Sequence, residues 1–292
     1  MAPALGKTQD PYKDLISSER LKELRKLELA TRRTIDSDFI GRYKTAFRGT
    51  GLIFSDLREY QPGDDIRDIH WKATARTGKT FVKTYQEERQ LNVMIALDVS
   101  ASLLSGIGSD KARKAREFAA VIAMLTSSSQ DSTGLMLFSD TIEEYLAPSS
   151  KRGQFKRIIG ALLAQRDGMR TTNIKEAIAH LLRHIKKRSI VFLVSDFYAE
   201  PFEDELRLLC HKHDCIGTLI LDRIEYDPPP VGLMEVFDAE LGSYSVIDTS
   251  NEKFRHALKK AQEDRIASLK SLFESAGGDF IVVERDVIKP LS

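Results

Sequence analysis

Residues 91–102, LNVMIALDVSAS, constrain this chain more than any other stretch. Apolar, partly β-branched side chains run unbroken from Val93 to Leu97, stop at Asp98, and give way to hydroxyl and small residues through Ser100 and Ser102. An unbroken apolar run of strand length predicts a strand covered on both faces, as in parallel α/β sheets. Ligand sites in such sheets lie just past the carboxyl ends of the strands, and Asp98 falls at that end. The spacing Asp98-x-Ser100-x-Ser102 sets one carboxylate and two hydroxyls on one short loop. All three are hard oxygen donors of the kind that Mg²⁺, Mn²⁺ and Ca²⁺ take, with water completing the shell. The alternative is that they only cap loops and helix N-termini, without an ion.

The chain beyond this loop alternates helical and strand patterns. Residues 109–130, SDKARKAREFAAVIAMLTSSSQ, predict a helix capped near Ser109 with Phe118, Val121, Ile122 and Leu125 on one face. Residues 133–139 and 141–146 read as a tight antiparallel edge pair. Helices over about 152–165 and 174–187 follow, then a strand over 189–195, a short helix from Pro201 and a strand over 215–221. Asp227-Pro228-Pro229-Pro230 is a stiff break. Beyond it, residues 234–248 predict a hairpin turning near Gly242-Ser243, then a long helix over 252–275 and a last strand over 280–284. The alternation predicts an α/β domain with a mostly parallel sheet flanked by helices. Thr172, in RTTNIKEAI, and Asp196, closing SIVFLVSD, both stand at element boundaries.

The N-terminal third differs in character. Residues 17–33 carry Leu21, Leu24, Leu27 and Leu29 among charges, a helical spacing with Ser17 or Ser18 as N-cap. This helix is expected to lay its apolar stripe on the domain; a free helix that binds a partner is the alternative. Two strands, over about 52–60 and 81–86, are expected with turn chemistry at Pro62-Gly63-Asp64-Asp65 between them. Arg58, Glu59, Asp64, Asp65, Arg67, Asp68 and Arg76 mix both charges around Trp71. They predict an internal ion-pair network that fastens this segment to the following domain. The alternative is a partner-docking surface anchored by Trp71 or by Arg58, Arg67 or Arg76. Gly78-Lys79-Thr80 imitates the end of a P-loop, but Ala73 stands where its first glycine should be and a strand follows, so a hairpin turn is expected. The chain thus divides into a helical segment (1–37), a β-rich segment packed on the core (38–90) and an α/β domain (91–292) with a hairpin insertion near 231–250.

Charge excludes little and favours nothing strongly: Lys plus Arg is 44 against Asp plus Glu 43. A phosphate or nucleic-acid groove would have to be local, built from Arg42, Lys44, Arg48, Lys79 and Lys83. No apolar stretch approaches bilayer length and the N-terminus has no signal-peptide core, so a cytoplasmic location is expected. Cys210, His211, His213 and Cys215 include zinc-ligand types, but they span a helix-to-strand connection, where buried cysteine is the expectation. A nucleophilic Ser100 or Ser102 would need a base, and none of the six histidines has a context that marks it. Phosphotransferases of the haloacid dehalogenase type need a second acid two residues after the strand-end aspartate, where this chain has Ser100. A non-enzymatic role is therefore expected, with a metal-dependent hydrolase as the alternative.

Two resemblances sharpen this reading. Asp98, Ser100 and Ser102 resemble the D-x-S-x-S loop of von Willebrand factor A domains, the first part of a metal-ion-dependent adhesion site. That family adds a threonine and a second aspartate from two later loops, and Thr172 and Asp196 stand in those places. The strings FRGTGLIFSD and REYQPGDDIRDIHWKATART resemble the signature of the domain of unknown function 58 family. Those proteins carry it immediately before a von Willebrand A-like domain and are commonly associated with MoxR-type AAA+ ATPases. The resemblance runs from about residue 39 to beyond 196. It implies a von Willebrand A-like fold with an N-terminal helix and a small β-rich extension, working beside such an ATPase in maturing or assembling a client complex. It also implies that Asp98, Ser100, Ser102 and Thr172 contact a divalent ion directly or through water while Asp196 holds ligand waters. A partner's acidic side chain would fill the open position. Met169-Arg170-Thr171 replaces the usual glycine-rich approach to the threonine, so Arg170 either obstructs a cation or reaches an acidic partner.

Overall fold

The unbroken apolar run forms β3 (Asn92–Asp98), an interior strand of a six-stranded sheet, and every residue from Val93 to Asp98 is buried. The computed structural model describes residues 53–61, 64–65, 69–86, 90–104, 110–164, 171–238 and 243–284. The first elements are β1 (Ile53–Glu59), α1 (Trp71–Thr77) and β2 (Phe81–Gln86), in which β1 and β2 pair antiparallel as a separate sheet. After β3 come α2 (Ala101–Leu104), α3 (Lys111–Ser128), β4 (Ser132–Phe138), β5 (Ile142–Ser149), α4 (Gln154–Ala164) and α5 (Ile174–His184). The order continues with β6 (Ile190–Ser195), α6 (Glu203–Lys212), β7 (Asp214–Ile220) and α7 (Arg223–Tyr226). The last elements are β8 (Leu233–Asp238), β9 (Ser243–Asp248), α8 (Glu252–Ser275) and β10 (Asp279–Val283).

The large sheet runs β10-β7-β6-β3-β4-β5. Its pairs are parallel except β4 with β5, the edge pair that the sequence predicts as antiparallel. Period-two geometry sends alternate side chains of β3 to opposite faces. Val93, Ile95 and Leu97 pack with Phe118 and Ile122 of α3 and Ile158 and Leu162 of α4. Met94 and Ala96 pack on the other side with Ile178 and Leu181 of α5, Leu206 and Leu209 of α6, and Phe273 of α8. Helices therefore cover both faces, a three-layer, mostly parallel α/β arrangement of the kind the sequence predicts. On the second face Gly217 admits Phe273: a Cβ on that glycine would stand 2.5 Å from the ring.

Two local expectations are corrected. Helix α1, between β1 and β2, is absent from the sequence reading; its N-cap His70 accepts a hydrogen bond from the Ala73 amide at 3.0 Å. Gly78 is the left-handed C-cap of that helix, with φ 72°, so it ends a helix instead of turning a hairpin. Helix α3 begins at Lys111 after N-cap Asp110, in keeping with the expected cap near Ser109, which itself lies outside the described residues. Trp71 itself is 68% exposed. Arg76, on the same short helix, is also exposed.

The helix expected over residues 17–33 and the basic residues Arg42, Lys44 and Arg48 lie outside the described residues. Arg67, Asp68 and Arg170 do as well. Arg58 falls within β1, with only its backbone described. Cys215 is buried in β7 and Cys210 half-buried at the end of α6. Buried His213 is pushed down to about 4 by desolvation and is neutral at physiological pH. Among the described residues no helix is long and apolar enough to cross a membrane.

Candidate metal centre

The sheet order places the candidate centre where chain connections diverge. From β3 the chain passes to β4 on one side, while β6 lies on the other. Helix α3, after β3, packs on one face, and α6, after β6, on the opposite face. Such a switch point opens a crevice at the carboxyl ends of the two strands. Asp98 ends β3, and Asp196 directly follows β6.

Local hydrogen bonds fix the first loop. The Asp98 Oδ1 accepts from the Ser100 amide at 2.9 Å, while the Val99 amide donates to the Phe138 carbonyl at 2.8 Å. Buried Leu103 anchors the short helix α2 that carries Ser102. The hydroxyls of Ser100 and Ser102 stand 3.0 Å apart, and Ser102 Oγ donates to Asp196 Oδ1 at 3.4 Å. Asp98, Ser100, Ser102 and Asp196 thus come together. Ser195, not singled out by the sequence reading, joins them: its hydroxyl donates to Asp98 Oδ2 at 2.6 Å and accepts from the Phe197 amide at 2.9 Å.

Thr172 reaches this edge by another route. The next residue, Asn173, caps α5 by accepting from the Glu176 amide at 3.0 Å. Its own amide donates to the Ser139 carbonyl at 2.9 Å, just past the end of β4. Because Phe138 is in register with Asp98, the Thr172 loop hangs from the strand end beside Asp98.

Three further residues, none flagged in the sequence, shape the electrostatics. Lys111 extends its ammonium to Asp196 Oδ2 at 3.0 Å and Glu225 Oε1 at 2.7 Å, with its side chain 3% exposed. Burial works against that charge, but Asp196 and Glu225 outweigh it and hold the Lys111 pKa above the ordinary lysine value. Arg265 of α8 donates to the Asp196 carbonyl and lies 3.7 Å over the Tyr198 ring. Asp98 is pushed up to about 7, first by desolvation and then by Asp196, against the hydrogen bonds from Ser195 and Ser100.

This donor set suits a hard divalent cation on two grounds. Two wholly buried carboxylates lie close enough to raise the pKa of one, a repulsion that a cation between them relieves. The Thr172 hydroxyl is buried and makes no hydrogen bond among the described residues, a loss of about 1–3 kcal/mol that an ion or its water would recover. Among the described residues no group of three or more His, Cys, Asp or Glu side chains is placed to hold a metal, so an ion here would combine the Asp98 carboxylate with hydroxyls and water.

Comparison with known proteins assigns the chain to a family. It is 28% identical over 249 residues to an uncharacterized protein of Mycobacterium tuberculosis, covering 82% of this chain and 78% of the relative. Among solved structures it is similar to an aerotolerance-related membrane protein from Bacteroides fragilis. That match has a TM-score of 0.45 and 15% identity, over 68% of this chain and 93% of the other. It is also similar to proximal thread matrix protein 1 of the mussel byssus, in a structure with a zinc-occupied MIDAS motif. There the TM-score is 0.35 and the identity 17%, over 44% and 38% of the two chains. The model of the protein family of unknown function DUF58 matches residues 56–267, and the chain belongs to that family.

Proposed function

We propose that this protein is a non-enzymatic docking module that holds Mg²⁺, Mn²⁺ or Ca²⁺ at the crevice and engages an acidic side chain of a protein partner. The carrying observation is the hydrogen-bonded convergence of Asp98, Ser100, Ser102 and Asp196, from two strand ends, on one crevice. Asp98, Ser100, Ser102 and Thr172 would contact the ion directly or through water, with Asp196 holding ligand waters. A bound divalent ion with so few charged protein ligands keeps an open position for an exogenous carboxylate. The partner proposed from the family resemblance is a MoxR-type AAA+ ATPase, acting on a client complex. Exposed Trp71 and Arg76 supply a second candidate contact, a large aromatic and a cation of the kind that anchors interfaces. Arg58, Arg67 and Arg170 belong to the same proposed partner-binding set.

As candidate nucleophiles, Ser100 and Ser102 bond each other, Ser102 also bonds Asp196, and neither bonds a histidine among the described residues. A binding measurement with the purified ATPase tests the proposal. Affinity should fall at least about tenfold in chelator and in Asp98→Ala, with Trp71→Ala lowering it independently of metal. Equal affinity in chelator and in Asp98→Ala would refute the metal-dependent contact.

A further inference from the structure

The two buried carboxylates of the crevice are not equivalent, and the difference is Lys111. Asp98 receives neutral donors, the Ser100 amide and the Ser195 hydroxyl. Asp196 receives an ammonium at 3.0 Å, presented by the first residue of α3 and almost wholly shielded from solvent. Glu225, the third residue of α7, grips the same ammonium at 2.7 Å. Around it, Asp222 accepts from the Asp110 amide at 2.7 Å and lies 3.7 Å from the Lys114 ammonium, so the start of α3 is fastened to the loop after β7. Lys111 is therefore a fixed charge with carboxylates on two sides, not a mobile surface lysine.

We infer that Lys111 sets the ligand preference of the crevice: by neutralising Asp196 it weakens the grip on the cation and strengthens the call for a carboxylate from outside. The inference rests on the cation site proposed above. A divalent ion beside Asp98, Asp196, Lys111 and Glu225 makes a cluster of zero net charge, which an incoming carboxylate can approach without net repulsion. Without Lys111 the same cluster carries one net negative charge, which holds the cation more tightly and repels a carboxylate from outside. Glu225 acts in the opposite sense, since it offsets part of the Lys111 charge. The same cluster thus contains one residue whose neutralisation makes the crevice more negative and one whose neutralisation makes it more positive. In a buried site a unit charge a few ångströms away changes binding by about tenfold or more.

Mn²⁺ titration of the full chain, followed by acetate titration of the Mn²⁺-loaded protein, tests this. Water-proton relaxation reads both steps, because acetate displaces ion-bound water. Lys111→Met should bind Mn²⁺ about tenfold more tightly than wild type and acetate about tenfold more weakly. Glu225→Gln, at a partly exposed position, should shift both affinities the other way and carries the test if Lys111→Met does not fold. Mn²⁺ affinity that is unchanged or weaker in folded Lys111→Met, or shifts of one sign in both variants, would overturn the inference while leaving the cation site standing. Equal Mn²⁺ affinity in wild type and Asp98→Ala would overturn the cation site, and this inference with it.

Discussion

Replacing Asp98 by Asn should stabilise the metal-free protein at neutral pH, although it removes a charged group from the centre of the site. The folded carboxyl titrates at about 7, against an ordinary value of 3.8, chiefly because burial desolvates it and secondly because Asp196 is near. Between these values the folded chain keeps a proton that the unfolded chain has released. The contribution of Asp98 to stability is therefore fully present below about pH 4 and is lost as pH rises through about 7. The gap corresponds to about 4 kcal/mol, a large part of the 5–15 kcal/mol typical of a folded protein. Asn has nearly the same shape, can still accept from the Ser100 amide, and carries no charge to desolvate. Urea unfolding in chelator, from pH 4.5 to 8.5, should show the variant gaining about 2–4 kcal/mol on wild type as pH rises. Mg²⁺ at the alkaline end should stabilise wild type alone and close part of that gap. Parallel stability curves for the two proteins, with no change in their difference across the range, would refute the reasoning.

Thr172→Val removes a buried hydroxyl that has no partner among the described residues, so the unfolding free energy should stay within about 1 kcal/mol of wild type or rise. Divalent-ion affinity, by calorimetry, should nevertheless fall about tenfold or more. Phe273→Ala, at a fully buried ring, should cost about 3–5 kcal/mol in urea unfolding, and Gly217→Ala, which drives a methyl into that ring, about 1–3 kcal/mol. The double variant should cost less than the sum, because the new methyl occupies space that the lost ring leaves.

Much of the fold was legible because its strands are short apolar runs and its helices amphipathic. The antiparallel β4–β5 edge, the β8–β9 hairpin and the span of α8 all follow from local pattern. Helix α1 was not legible, since its seven residues WKATART have no apolar periodicity and its cap is a histidine. The D-x-S-x-S loop could be found because it ends an unbroken apolar strand, whereas Thr172 and Asp196 were picked out by the resemblance to von Willebrand A domains, each at the border of a regular element. Lys111 sits in the string DKARKAR, where alternating charge reads as a solvated face. The signal was nonetheless present: Lys111 and Lys114 lie seven and four residues before Phe118, on the face that continues through Ile122 and Leu125. A lysine at an inward position calls for a buried acid, which only tertiary structure could identify as Asp196 and Glu225. Arg265 carried no such mark, because its role depends on α8 passing beside Tyr198.

The central claim is that separate strand ends bring Asp98, Ser100, Ser102 and Thr172 together as hard ligands for a divalent cation. Calorimetric titration of Mg²⁺ or Mn²⁺ into the full chain at pH 7.5, beside a folded Asp98→Ala variant, tests it most directly. The account predicts saturable one-to-one binding to wild type and none to the variant. Equal heats for the two proteins, or no saturable heat for wild type, would contradict it.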